Sequence, residues 1–207
     1  MSSRNKYGKF KKKDYVRIIR AVRDYLCETF GYKMKPSLFE TRLSEGCLME
    51  FFHGEKWYAV LYDYKQFKDR FGHHNFEVQN AYAAAMAAHE IRHYYQHRQM
   101  IAVKPKESEK TIALWRECEL SATLFDENGG TEEYYLQPLE LDAFLFEYVF
   151  AAKVFGLLLL QAIANERHLD CLEALYVEYF GRTDETLFGR EIREALREAR
   201  SNSDQQA

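Results

Sequence analysis

Ala81-Tyr82-Ala83-Ala84-Ala85-Met86-Ala87-Ala88-His89-Glu90-Ile91-Arg92-His93 is the stretch on which the reading of this chain turns. Alanine is the strongest helix former, and from Ala81 to Ala88 the helix carries no charge on any face. A helix apolar all round lies inside a protein, so Glu77 to about Met100 is expected to run through the core. Into it the sequence sets two histidines four residues apart, with a glutamate directly after the first. Residues four apart stand on nearly one face, a turn along, so both imidazoles can reach a single tetrahedral ion. Glu90 points about a quarter-turn round, where it can take a proton from a water activated by that ion and pass it to a leaving amine. Burying two histidines and a glutamate without a metal demands several dedicated partners.

A catalytic zinc takes three protein ligands and keeps one position for water. Downstream lies Tyr134-Tyr135-Leu136-Gln137-Pro138-Leu139-Glu140-Leu141-Asp142-Ala143-Phe144-Leu145-Phe146, where Pro138 suits the first turn of a new helix. Glu140 is the expected third ligand, with Asp142 as an alternative. A first-turn position also suits any acidic residue through the helix dipole. Tyr134, Tyr135 and Arg92 are candidate donors to the charge that develops on a tetrahedral intermediate. His97 continues the histidine face, but two turns separate it from His89 by about 12 Å along the axis, too far to share one ion. It is expected as an exposed helix-end residue favoured by the C-terminal dipole, and His73 and His74 as loop residues.

The rest of the chain supplies the frame. Its 207 residues, 47 % of them hydrophobic, suffice for one core, and a net charge of −3 gives no global attraction to nucleic acid or membrane. Residues 1–13 hold Arg4, Lys6, Lys9, Lys11, Lys12 and Lys13 and no acid, and are expected to be a flexible basic tail, the one segment suited to touching nucleic acid. Residues 14–200 are expected to form a single domain and 201–207 a disordered C-terminus. Cys27, Cys47, Cys118 and Cys171 form no C-x-x-C pair and no apolar leader follows the basic residues, which together suit a reducing cytoplasm. Ala143 to Ala164 is apolar, yet Glu147 and Lys153 mark a buried helix over a membrane span.

Asp14 is a plausible N-cap for a helix with Val16, Ile19, Val22, Leu26 and Phe30 on one face and Gly31 as its stop. Leu38 to Leu43, Cys47 to Phe52 and Trp57 to Tyr62, broken by glycine turns, predict a three-stranded antiparallel meander. Tyr64 to Arg70 predicts a short helix. Further helices are expected over Glu107 to Phe125, Pro138 to about Asn165, Glu166 to Phe180 and Thr186 to Arg200. The fold class is α+β, mainly helical.

H-E-x-x-H followed by a helix reading E-x-x-A-x-x-F, here Glu140, Ala143 and Phe146, resembles the gluzincin-type metallopeptidases of the ImmA/IrrE class. The resemblance spans about residues 15 to 155. It implies a zincin-like minimal metalloprotease fold with an N-terminal helix, a small sheet, a buried metal helix and C-terminal helices. It also implies Zn2+ on His89, His93 and Glu140, Glu90 as catalytic base, and a peptide or protein substrate added as a strand to a sheet edge, for which Trp57 to Tyr62 is the expected edge. Glu45-Gly46-Cys47-Leu48 ahead of the motif is similar to peptide deformylase, which implies Cys47 as third ligand and a zinc amidohydrolase instead. A zinc-binding regulatory or interaction module without turnover is the remaining alternative.

Overall fold

The computed structural model describes residues 9–55, 57–121, 134 and 137–156. Along the chain these form α1 (Lys12–Thr29), β1 (Ser37–Glu40), β2 (Met49–His53), β3 (Tyr58–Tyr62), α2 (Tyr64–Phe71), α3 (Phe76–Met100), α4 (Glu109–Ser121) and α5 (Pro138–Phe155). The class is α+β and mostly helical, as expected.

The alanine-rich stretch is the 25-residue α3, about 38 Å long at the usual helical rise. Asn75 caps it, its side-chain oxygen accepting from the Val78 amide at 2.9 Å. α1, β2 and α5 all pack against it, which is why Ala81 to Ala88 show no polar face. Ala81, Ala83, Ala84, Ala85, Ala87 and Ala88 are at most 2 % exposed. Such small side chains let neighbouring backbones come close, and the aromatic bulk of the core is supplied by those neighbours. Tyr15 of α1 and Phe67 of α2 are fully buried, with ring centroids 4.4 Å apart.

α1 starts at Lys12, three residues earlier than Asp14 as a cap would have it. Asp14 instead sits within the first turn, its carboxylate accepting from the Lys11 amide at 3.1 Å. Phe10, just ahead, packs its ring on Phe67 and Phe76. The expected stop is in place: Gly31 has φ +78°, left-handed backbone that side chains rarely adopt. α4 starts at Glu109, two residues later than the expected Glu107. Ser108 Oγ accepts from the Thr111 amide at 3.1 Å as its cap, and Glu107 accepts from the Tyr95 hydroxyl at 2.7 Å.

The sheet corrects the expected meander. Its order is β1-β3-β2, with β1 parallel and β2 antiparallel to β3, so it is mixed. β3 takes the centre because it is the most apolar strand, with Ala59 and Val60 wholly buried, whereas β1 and β2 are largely half-buried or exposed. Residues 57–62 are therefore not an edge: Val60 is paired to Leu38 on one side and to Phe51 on the other. The edge beside α3 is β2. Flanking bonds from the Asp63 amide to the Leu48 carbonyl (3.0 Å) and from Gly54 to Trp57 (2.9 Å) fix the alternation of its ladder. Glu50 and Phe52 turn their main chain to β3, and Met49, Phe51 and His53 turn theirs outward.

α5 ends at Phe155, before Gly156 at φ +79°. The expected extension to Asn165, the helices over 166–180 and 186–200, the C-terminal 201–207 and residues 1–8 lie outside the described residues. Among the described residues no helix is long and apolar enough to cross a membrane.

Candidate metal centre

α3 carries His89, Glu90 and His93 to the place where β2 and α5 meet it, and α5 brings Glu140 in its first turn. The two histidine Nε2 atoms stand 3.0 Å apart. Glu140 reaches both, with Oε2 3.2 Å from His89 Nε2 and Oε1 3.4 Å from His93 Nε2. Zinc bonded tetrahedrally at 2.0–2.1 Å needs neighbouring ligand atoms about 3.3 Å apart, so the spacing suits such an ion. The hydrogen bonding points the same way. Glu140 Oε2 is buried with no hydrogen-bond partner, and two ring nitrogens face each other across a gap where a cation would take both lone pairs.

Burial by itself would lower both histidine pKa values and raise that of Glu140. Their mutual pairing outweighs it. Glu140 and Glu147 hold His89 well above the usual histidine value, Glu140 raises His93, and the imidazoles hold the Glu140 carboxyl well below the usual carboxylate range.

Behind the three stands a second ring of partners. His93 Nδ1 is 2.8 Å from Gln96 Oε1, one turn on. Gln96 in turn donates to the Leu139 carbonyl (2.9 Å) and to Asp142 (2.7 Å). His89 Nδ1 lies 3.2 Å from Glu147 Oε2, within ion-pair range but off hydrogen-bond alignment. Such carboxylates orient ligating imidazoles. The sequence marks Glu147 only as a charge against a membrane span and not as a site residue, although it follows Glu140 by seven residues, the spacing that returns a helix to the same face.

Asp142 is not at the ion site. Two residues along a helix turn a side chain by about 200°, so Glu140 and Asp142 leave α5 on opposite faces. Asp142 accepts from Arg92 Nε at 2.7 Å and Nη2 at 3.0 Å, a buried pair that bolts α3 to α5. The Arg92 guanidinium lies over Tyr95 at 4.5 Å and Phe146 at 5.2 Å, outside the cavity, so it is no oxyanion donor either. Asp142→Ala is expected to cost about 3–5 kcal/mol of stability, since it takes the doubly bonded carboxylate from a buried guanidinium whose other acidic neighbour, Glu107, stands at 3.8 Å. Urea denaturation measures this; a loss under about 1 kcal/mol, the scale of a surface pair, would contradict the tie.

Glu90 is buried, its Oε2 accepting from the Phe51 amide of β2 at 2.7 Å. Burial raises its pKa, against the pull of the two histidines. Cys47 lines the same cavity but does not join the converging set. Its Sγ donates to the Met49 carbonyl at 3.4 Å, and burial with Glu90 nearby pushes its pKa up to about 12, which keeps it a thiol. The Tyr134 hydroxyl is hydrogen-bonded to Glu140, and burial with that carboxylate raises its pKa, so it stays a proton donor. Tyr135 lies outside the described residues. His73 and His74 sit in the turn between α2 and α3, their rings 4.0 Å apart.

His97 departs from expectation. It is half-buried and faces the cleft, its ring stacked on His53 of β2 with centroids 4.3 Å apart. Both triads, His89/His93/Glu140 and His53/His97/Glu119, line one cavity of 680 Å³. Comparison with family models, with curated proteins and with solved structures finds no match for this chain.

Proposed function

We propose that the chain is a zinc-dependent peptidase of zincin type, with His89, His93 and Glu140 as the metal ligands and Glu90 as the general base. The observation that carries this reading is the approach of the three ligand atoms to 3.0–3.4 Å with a buried, non-ligating carboxylate beside them. Zinc held there would supply Lewis acidity to a peptide carbonyl and to water. The chain's own groups do the rest. Glu90, its pKa raised by burial, takes a proton from the attacking water and returns it to the leaving nitrogen. The Phe51 amide fixes that carboxylate against the β2 edge. The outward Met49 amide, Phe51 carbonyl and His53 main chain offer hydrogen bonds to an extended substrate, the Phe51 amide and Met49 carbonyl being taken by Glu90 and Cys47, so β2 replaces residues 57–62 as the strand that a peptide would extend. Tyr134, whose hydroxyl is bonded to Glu140 and stays protonated, is a donor suited to the negative charge that develops beside the metal ligands.

Zinc-loaded protein is expected to cleave an unfolded substrate such as casein, to stop on treatment with 1,10-phenanthroline, and to recover when zinc is restored. Mass spectrometry of the fragments checks this. Cleavage indifferent to chelation would end the zinc reading, and intact casein beside zinc-loaded protein would end the peptidase one.

A further inference from the structure

We propose that His53, His97 and Glu119 form a second site for a zinc-class divalent ion, separate from the first and opening on the same cleft. Three elements meet there: the last residue of β2, the last turn of α3 and the late part of α4. His53 Nε2 and His97 Nδ1 each lie 3.5 Å from the same oxygen, Glu119 Oε1. All three ligand atoms fall within 4.8 Å of one another. A tetrahedral ion bonded at 2.0–2.1 Å asks for separations of about 3.3 Å, so two of the three are nearly in place. Two imidazole nitrogens and a carboxylate oxygen also repeat the donor set of the first triad, which suits Zn2+ over Mg2+ or Ca2+.

The decisive detail is His97 Nδ1. That atom is buried and has no hydrogen-bond partner, although it points toward Glu119. Buried ring nitrogens are normally satisfied, and here the geometry leaves a lone pair aimed into a cluster of donors. The stacked imidazoles present their nitrogens to the same carboxylate oxygen, which would otherwise have to hold both rings by itself.

The two sites differ in exposure, and that sets their order of filling. The side chains of His89 and Glu140 are 8 % and 13 % exposed, whereas those of His53 and Glu119 are 45 % and 39 % exposed. Solvent competes at the second site, so its ion binds more weakly and exchanges faster. An ion there ties the end of β2 to α4 and closes one end of the edge strand. That consequence, inhibition by excess zinc, rests on the peptidase reading; the site itself does not.

Native mass spectrometry during a zinc titration of the full chain tests it, with a chromophoric chelator to rank the affinities. The expected result is about two zinc ions per wild-type chain, the weaker one leaving first, and about one in His53→Gln, His97→Gln or Glu119→Gln. His89→Ala should keep the weaker ion. A wild type that stops at one ion, or three variants that all still take two, overturns the second site; His53 and Glu119 are exposed enough that their replacement does not threaten folding. With casein as substrate, excess zinc should inhibit wild type and spare Glu119→Gln. Equal inhibition of both removes the closure, and absence of hydrolysis in every sample with two ions still bound removes the peptidase reading alone.

Discussion

Glu90→Gln is expected to keep its first-site zinc and to lose peptide hydrolysis by about 10²- to 10⁴-fold, the usual worth of a positioned general base. The expectation rests on what Glu90 touches. Its Oε2 takes the Phe51 amide at 2.7 Å, and it is not among the three groups whose atoms converge. Glutamine retains a carbonyl oxygen for that amide, so β2 stays docked on α3 and the cavity keeps its shape. Only the ability to accept a proton is gone. Zinc content by mass spectrometry and the rate of casein cleavage, measured on one preparation, separate the outcomes. Equal loss of metal would make Glu90 a ligand. Undiminished biological function alongside retained zinc would favour a zinc-binding module without turnover, whose work is done by binding.

The burial of α3 was legible because its cause is local. Eight residues from Ala81 to Ala88 without a charge can lie nowhere else, and the stop at Gly31 acts within a turn of its own position. Strand pairing is not local. The three strand segments were visible as apolar runs, but which of them takes the centre depends on burial in the assembled core, and the most apolar, Tyr58–Tyr62, won it. The expected substrate edge fell with that. Asp142 was separable from Glu140 by helix phase alone, since two residues cannot share a face. His97 misled for the opposite reason. Its place at a helix end suggested solvent, and only the return of β2 and α4, remote in sequence, puts His53 and Glu119 beside it.

The two resemblances in the sequence place different atoms on the metal, oxygen from Glu140 or sulfur from Cys47, and one pair of variants decides between them. Glu140→Ala is expected to weaken zinc binding at the first site by at least about 100-fold, because removing a partner behind a ligand already costs 10- to 100-fold and Glu140 is itself one of three. Cys47→Ser is expected to change neither zinc content nor hydrolysis. Its thiol, pushed up to about 12, is bonded to the Met49 carbonyl, and a serine hydroxyl can make the same bond. Competition with a chelator of known affinity reads the first effect. X-ray absorption at the zinc edge reads the donor atoms directly: nitrogen and oxygen at about 2.0–2.2 Å for the Glu140 site, one scatterer at about 2.3 Å for a thiolate. Should Cys47→Ser strip the metal while Glu140→Ala binds normally, sulfur is the third ligand, and release of formate from formyl-methionyl peptides becomes the activity to measure.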